Sequence, residues 1–200
     1  MASDEPAVRV DGRTARAVRT RSAIVDAHLA LLRDGNLRPT GERIAERASV
    51  SLRTLWTNFK DMETLFAAAG RRLIELQLEA YEPIPTELPL RERVDRFCQQ
   101  RARMLEILAP AARAAVIREP FSAQLRRNRA IEIARVSDEI STLFAVELAS
   151  SGADPAELLD ALVTAATYAS WSVLREQLSL SPDASCAVMR RTVAALLHCD

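Results

Sequence analysis

The chain has 200 residues, of which 48% are hydrophobic, enough for a substantial core, while five glycines and 4% aromatic residues disfavour a β-rich fold. No apolar run approaches the ~18 residues of a transmembrane helix, and the first residues are too polar for a secretory signal. The net charge is zero, but this balance conceals an asymmetry along the chain.

Positive charge is concentrated in the N-terminal part. Residues 1–60 carry eleven Arg or Lys against seven Asp or Glu, which leaves 16 basic and 20 acidic residues in 61–200. A basic module on an acidic body fits contact with phosphates, and a merely solvated surface is the alternative interpretation.

The cysteines indicate the redox compartment. Cys98, Cys186 and Cys199 are odd in number and have no CxxC spacing. This pattern favours reduced thiols in a cytoplasmic protein over a disulfide scaffold or a zinc site. We therefore predict a cytoplasmic protein without a metal site or a cofactor.

The first predicted elements are a disordered segment, residues 1–12, and a basic arm from Arg9 to Arg21. The arginines of this arm are Arg9, Arg13, Arg16, Arg19 and Arg21. Such an arm reaches DNA phosphates or a minor groove, unless it serves only as a solubilising tail. A first helix follows and ends at Asp34-Gly35, where glycine supplies the left-handed cap.

Residues 40–63 predict two short helices joined by a tight turn, followed by the start of a longer helix. Thr40 and Ser51 are predicted N-caps, because their hydroxyls accept the unpaired N–H groups of an opening turn. Leu55 and Phe59 recur at helical spacing and face inward. The exposed face then carries a cation, hydroxyls, an amide and an indole, a set that suits the reading of a DNA groove.

This segment resembles the helix-turn-helix of the tetracycline-repressor (TetR) family of transcriptional regulators. The resemblance rests on Thr40, Ile44-Ala45, Ala48-Ser49, Val50-Ser51, Thr54-Leu55-Trp56, Phe59 and Glu63-x-Leu65. Two positions depart from the family pattern: Trp56 replaces the usual tyrosine, and Met62 replaces a lysine that contacts phosphate. Lys60, the only lysine in the chain, is the candidate substitute.

The chemistry of the side chains divides the predicted DNA contacts into two groups. For phosphates we predict Thr40, Thr54, Trp56 and Lys60, with Arg19 or Arg21 from the arm. For bases we predict Arg53 first, since a guanidinium binds guanine with two hydrogen bonds, followed by Leu52, Thr57 and Asn58. Thr40 and Ser51 are expected to cap their helices as well as to contact DNA.

The remainder of the chain is predicted to be helical throughout. The predicted helices are Asp61 to Pro83, about 90–108, Pro110 to Glu119, about 121–150, Asp154 to about 178, and Ser181 to Leu197. The last two are apolar on more than one face, so one face serves the core and another a partner. By resemblance they form a homodimer, and burial of both faces inside one chain is the alternative.

A ligand pocket is predicted among the helices that follow the helix-turn-helix. Its candidate residues are Phe66, Phe97, Cys98, Met104, Phe121, Phe144, Tyr168 and Trp171, which are expected to face inward. Such a stripe is also typical of an ordinary core. By resemblance, an effector in this pocket shifts the helix after Asp61 and separates two reading heads.

We therefore predict an all-α protein of about nine helices, with a DNA-binding domain at 1–61 and a helical effector-binding and dimerisation domain at 62–200. The predicted function is a dimeric regulator of transcription, a repressor released by a small apolar or amphipathic effector, on a palindromic operator. One alternative is a helical dimer for protein interaction without sequence-specific DNA reading. An enzyme is least favoured, because His28 and His198 lie far apart and no metal-ligand cluster is present.

Overall fold

A computed structural model shows that the chain folds into α-helices. The structure describes residues 12–150, 152 and 154–198. Among these residues there are ten α-helices and no strand. They are α1 (Gly12–Arg33), α2 (Gly41–Arg47), α3 (Leu52–Asn58), α4 (Met62–Glu79), α5 (Leu90–Arg118), α6 (Ala123–Leu143), α7 (Ala145–Ser150), α8 (Pro155–Ala165), α9 (Tyr168–Ser172) and α10 (Pro182–Leu196). No helix within the described ranges is both long and apolar enough to cross a bilayer.

Two hydrophobic cores lie along the molecule and share α5. The N-terminal core joins α1, α2, α3 and the first half of α4, and it includes Ala114 from the end of α5. The C-terminal core joins α5 to α8 and α10, with Trp171 from α9 at its centre. The proposed domain boundary between residues 61 and 62 falls at the N-cap of α4, yet Leu65 and Ala69 of α4 pack in the N-terminal core.

The five predicted helix caps and the end of the first helix are confirmed. Thr40, Ser51 and Asp61 cap α2, α3 and α4, with side-chain oxygens 3.4, 3.0 and 2.8 Å from the backbone nitrogens of the opening turns. Asp154 caps α8 and Ser181 caps α10 in the same way. Gly35 ends α1 with a left-handed φ of 86°, which a glycine adopts without steric cost. These features depend only on neighbouring residues.

The basic arm is replaced by a helix. Because α1 begins at Gly12, Arg16, Arg19 and Arg21 lie within a helix rather than in an extended segment. The predicted disordered segment, residues 1–12, lies outside the described residues except for Gly12. Arg9 also lies outside them.

Pro110 does not end a helix. The predicted break between two helices at this position is wrong, since α5 runs without interruption from Leu90 to Arg118. Proline removes one backbone hydrogen bond and normally kinks or ends a helix. Here burial on both sides of the proline opposes that cost, because Leu105 packs in the C-terminal core and Ala111 and Ala114 pack against the N-terminal core.

Two predicted long helices are instead interrupted. The helix predicted at 121–150 begins with a 3₁₀ turn at Glu119–Phe121 and is divided at Phe144, whose side chain is fully buried. The helix predicted to reach residue 178 ends at Ala165 and is followed by α9 and a π-helical turn at Val173–Gln177. The two interruptions, at Phe144 and after Ala165, therefore fall at positions that carry no proline or glycine.

A buried arginine accounts for the second interruption. Arg101 donates from Nε to the Ala166 carbonyl oxygen at 2.8 Å and from Nη2 to Glu132 Oε1 at 2.9 Å. The last carbonyls of a helix lack intrahelical partners, and the guanidinium supplies one inside the protein. Gln77 extends the network, since its Oε1 accepts a hydrogen bond from Arg135 at 2.8 Å. Arg101 thus joins α5, α6 and the end of α8.

We predict that Arg101→Met lowers the free energy of unfolding by about 3 kcal/mol, because it removes the donor to the buried Ala166 carbonyl and the closest cation to Glu132. Glu132 keeps only the longer bonds from Arg135 and Gln77, at 3.3 and 3.4 Å, among the described residues. Urea denaturation measures this loss. Arg103→Met is the matched control on the same helix: its side chain is exposed, so it should change stability by less than about 0.5 kcal/mol. Equal effects of the two substitutions would contradict the structural role of Arg101.

Candidate nucleic-acid interface and internal cavity

The helix α3 is held by one face and presents the other to solvent. Leu55 and Phe59 are both 0% exposed in the N-terminal core, whereas Arg53, Trp56 and Thr57 are exposed. Side chains three and four residues apart share a face of a helix, so the inner pair fixes the direction of the outer residues. The exposed surface of α3 is therefore presented by a rigid support.

Most polar side chains on α3 bond to their own helix. The hydroxyls of Ser51 and Thr54 are 2.8 Å apart, and Thr57 donates to the Arg53 carbonyl oxygen at 2.7 Å. Asn58 donates from Nδ2 to the Thr54 carbonyl oxygen at 2.8 Å. Arg53, by contrast, forms no ion pair or side-chain hydrogen bond within the described part of the chain. Its guanidinium keeps every donor available for a ligand.

Trp56 packs on the start of α2. A Cβ atom at Gly41 would lie 2.6 Å from Trp56 Cζ2 and 3.3 Å from Leu52 Cδ1, so a larger residue would displace the indole. Trp56 nevertheless remains 38% exposed, beside the capped N-terminus that Thr40 begins. Gly41 thus allows α2 and α3 to approach closely.

Arg21 belongs to the support of α3 rather than to a free arm. Its guanidinium lies 4.0 Å from the centroid of the Phe59 ring and donates to the Asn58 carbonyl oxygen at the C-terminus of α3. This contact satisfies a carbonyl at a helix end, where a cation also interacts favourably with the helix dipole. Arg19 lies on the exposed side of α1. Of the two arginines predicted for phosphate contact, Arg19 is therefore the more available.

The start of α4 presents one cation. Met62, which occupies the position of the family lysine, is half-buried and packs against the N-terminal core. Lys60 is exposed next to Asp61, and the Thr64 N–H and hydroxyl hold the pKa of the Asp61 carboxyl below its ordinary value. The anionic cap beside Lys60 reduces the positive potential at this point.

A cavity of about 520 Å³ lies between the two cores. It is lined by residues of α1, α4, α5 and α6, of α9 and the π-helical turn, and by Leu37 and Pro39 before α2. Most of the wall is aliphatic, and the volume is within the usual range of small-molecule sites. A π-helical turn is a rare element that often occurs at functional sites.

The residues predicted for the ligand pocket divide into four groups. Phe66 and Tyr168 line the cavity, and Met104 lines a smaller cavity of about 230 Å³. Four others, Phe97, Cys98, Phe144 and Trp171, belong to the C-terminal core, where burial raises the pKa of the Cys98 thiol. Phe121 is 90% exposed, so its predicted inward position is wrong. The 3₁₀ turn at Glu119–Phe121 directs this side chain into solvent.

His28 of α1 also lines the cavity. It is 4% exposed, its ring centroid lies 5.9 Å from that of Phe66, and its Nδ1 has no hydrogen-bond partner within the described part of the chain. Burial and the nearby charge of Arg118 lower the pKa of His28 to about 4. The imidazole is therefore neutral at pH 7. An apolar stripe on α1 predicts its burial but not a cavity beside it.

Hydrogen bonds join α4 to α6 along the cavity. Asn128 donates from Nδ2 to the Phe66 carbonyl oxygen at 3.0 Å, and the Gln124 N–H donates to Glu63 Oε2 at 3.0 Å. A Cβ atom at Gly70 would lie 2.7 Å from Asn128 Nδ2, so glycine permits this approach. A molecule that moves α6 would therefore also pull on the start of α4.

Neither a protein-family model nor a curated protein matches the sequence. Two solved structures share the fold over nearly the whole chain. A transcriptional regulator from Rhodococcus sp. Rha1 is 16% identical, with a TM-score of 0.68 over 91% of this chain and 96% of its own. A protein assigned to the TetR family of transcriptional regulators from Mesorhizobium loti MAFF303099 is 19% identical, with a TM-score of 0.63 over 92% and 97%. These likenesses confirm the all-α fold and its resemblance to TetR-family regulators.

We predict that stability falls as the pH is lowered from 6.5 towards 4, because over this window the unfolded chain binds a proton at His28 that the folded chain does not. The expected loss at pH 5 is about 2 kcal/mol in the free energy of unfolding relative to pH 7. Urea denaturation at both pH values measures it. His28→Gln should abolish this loss, whereas the exposed His198→Gln should retain it; the reverse pattern would refute the assignment.

Proposed function

We propose that this chain is a dimeric DNA-binding regulator of transcription, a repressor that an effector in the cavity releases from its operator. The observation that carries the proposal is Arg53, an exposed guanidinium without a partner among the described residues, on a helix anchored by the fully buried Leu55 and Phe59. The shared fold with two transcriptional regulators supports the same function.

In the proposed complex, α3 enters the major groove and Arg53 donates two hydrogen bonds to a guanine. Thr57 and Asn58 add further contacts once their hydrogen bonds to the helix exchange for bonds to bases. Phosphates are contacted by Trp56, Thr40 and Lys60. These contacts set the position of the helix-turn-helix along the DNA. Ser51 and Leu52, at the start of α3, complete the predicted surface.

The surface of α10 supports the proposed dimer. Its inner face, with Met189 and Val193, packs in the C-terminal core, whereas Val188 on the outer face is 41% exposed beside the exposed Ala187. This exposure favours an outer face available to a partner over burial of both faces of α10 inside one chain. Small exposed side chains permit close packing of helices from two copies. A two-fold dimer would read half-sites about one helical turn, ~34–36 Å, apart.

The position of the cavity supports control by an effector. Its wall includes Phe66 of α4, and also Leu29, Leu32 and Leu73, which lie in or against the N-terminal core. A ligand there would contact the DNA-binding part directly and also act through the Asn128–Phe66 bond. A coupling free energy of ~1–3 kcal/mol would change operator affinity by about 5- to 150-fold.

Arg53→Ala tests base reading. We expect it to lower the preference for the operator over unrelated DNA by about 5- to 150-fold, because a bidentate contact contributes about 1–3 kcal/mol of discrimination. Gel shifts with an operator selected from random DNA measure this ratio. Arg103→Ala, exposed on α5, is the control and should leave it unchanged. If wild-type protein selects no sequence, the protein-interaction alternative gains support instead.

Lys60→Ala tests phosphate contact. We expect weaker binding to all DNA sequences alike, with a slope of log affinity against log salt reduced by about 1, because one fewer phosphate is neutralised. A series of gel shifts at several salt concentrations gives the slope. Asp61 caps α4 and should remain in place, so circular dichroism should show unchanged helix content. An unchanged slope would remove Lys60 from the interface.

A further inference from the structure

The wall of the cavity carries an unbalanced positive charge. Five of its residues are charged, and both carboxylates are already paired: Glu132 binds Arg101 at 2.9 Å, and Glu119 binds Arg129. Arg118 is the cation that is left over. Among the described residues no ion pair includes it. After internal pairing, the cavity therefore has one net positive group.

Arg118 lies where the two parts of the molecule meet. It is the last residue of α5, it is half-buried, and its guanidinium carbon lies 5.8 Å from the centroid of the Phe66 ring. Burial and the charge of Arg38, in the loop before α2, lower the pKa of Arg118. The dipole at the C-terminus of α5 and the aromatic ring offset part of this cost. Among the described residues, no carboxylate pairs with Arg118, so the rest of the cost of burying its charge is not compensated.

His28 provides a second polar group near the same ring. The imidazole and the Arg118 guanidinium both lie against Phe66, at 5.9 and 5.8 Å from its centroid, and both residues line the cavity. The buried His28 Nδ1 lacks a partner, which normally costs free energy that a ligand can recover. The positive charge of Arg118 also disfavours protonation of His28. An anion bound between these two groups would neutralise the charge of Arg118 and give His28 Nδ1 a hydrogen-bond partner.

We propose that the cavity binds an amphipathic carboxylate, with its anionic head at Arg118 and His28 and its aliphatic body along the wall between α4, α5 and α6. This inference rests on the proposed function and names the chemical class of its effector. The body would contact Leu73, Ile74, Leu108 and Val136, which are apolar residues of the wall. A guanidinium favours planar, bidentate recognition of a carboxylate.

The site also explains how such a ligand would act on DNA binding. His28 belongs to α1 and Arg38 to the loop before α2, whereas Arg118 ends a helix that begins in the C-terminal core. The bound carboxylate would hold these groups together. It would thereby fix the angle between the N-terminal part of the protein, with α1 to α3, and the C-terminal part. A ligand shifts an equilibrium only by its different affinity for two states, and a charge placed at this junction supplies that difference.

Three probes of equal chain length test the ligand class: octanoate, octanol and octylamine, titrated calorimetrically into the full chain at pH 7.5. Octanoate should bind at least tenfold tighter than octanol, because a charge-assisted hydrogen bond contributes more than a neutral one, and octylamine should bind most weakly. Octanol binding as tightly as octanoate would overturn the proposal. So would tighter binding of octylamine.

Arg118→Met tests the position of the carboxylate. We expect it to weaken octanoate about tenfold or more and to change octanol by less than threefold, because the methionine keeps the apolar stem without the charge. The matched control is the exposed Arg103→Met on the same helix, which should leave octanoate binding unchanged. Arg118→Lys keeps a cation and should retain the preference for octanoate over octanol if Arg118→Met fails to fold.

Operator binding, measured in parallel, separates this inference from the proposed function. Saturating octanoate should lower the affinity of wild-type protein for its selected operator by about 5- to 150-fold, and Arg118→Met should lose this response at the same octanoate concentration. Specific DNA binding without any preference for octanoate would overturn only the ligand class. Loss of specific DNA binding by the wild-type chain would instead overturn the proposed function, whatever the calorimetry shows.

Discussion

The guanidinium of Arg101 is buried at the point where α5, α6 and the end of α8 meet, and much of the C-terminal architecture depends on its bonds. Its Nε donates a hydrogen bond to the Ala166 carbonyl oxygen, so α8 can end inside the protein without leaving this carbonyl unsatisfied. The chain then turns into α9 and the π-helical turn, which form one wall of the cavity. Its ion pair with Glu132 ties α5 to α6, and Glu132 also lines the cavity. One buried cation therefore contacts two of the segments that line the cavity.

The helix α5 transmits this arrangement to the N-terminal part. It contributes Phe97 and Leu105 to the C-terminal core and Ala114 to the N-terminal core. The two parts of the molecule therefore cannot reorient relative to each other without changing how α5 packs. Close packing makes such interfaces prefer discrete arrangements over continuous deformation. Arg118, at the end of α5, lies at the cavity wall. The same helix thus connects the cavity to the part of the molecule that holds α3.

Local sequence patterns were sufficient for the five capped helix starts and for the inner residues that anchor α3. The hydroxyl and carboxylate caps at Thr40, Ser51 and Asp61 act within a single turn, so their identity can be read from neighbouring residues. The same applies to Leu55 and Phe59, whose spacing predicts their burial. The pocket was harder to predict, because Phe66 and Phe97 show the same periodicity although one lines the cavity and the other fills a core.

The sequence by itself determined an all-α fold, its helix-turn-helix and the exposed position of Arg53, because short-range spacing governs capping and amphipathic burial. Only the tertiary structure decided that α5 continues through Pro110 and that α8 ends at Ala165. These outcomes depend on distant partners, such as Arg101 for the Ala166 carbonyl, 65 positions apart. The unpaired charge of Arg118 was equally invisible in the sequence, since pairing is a property of positions in space rather than of composition.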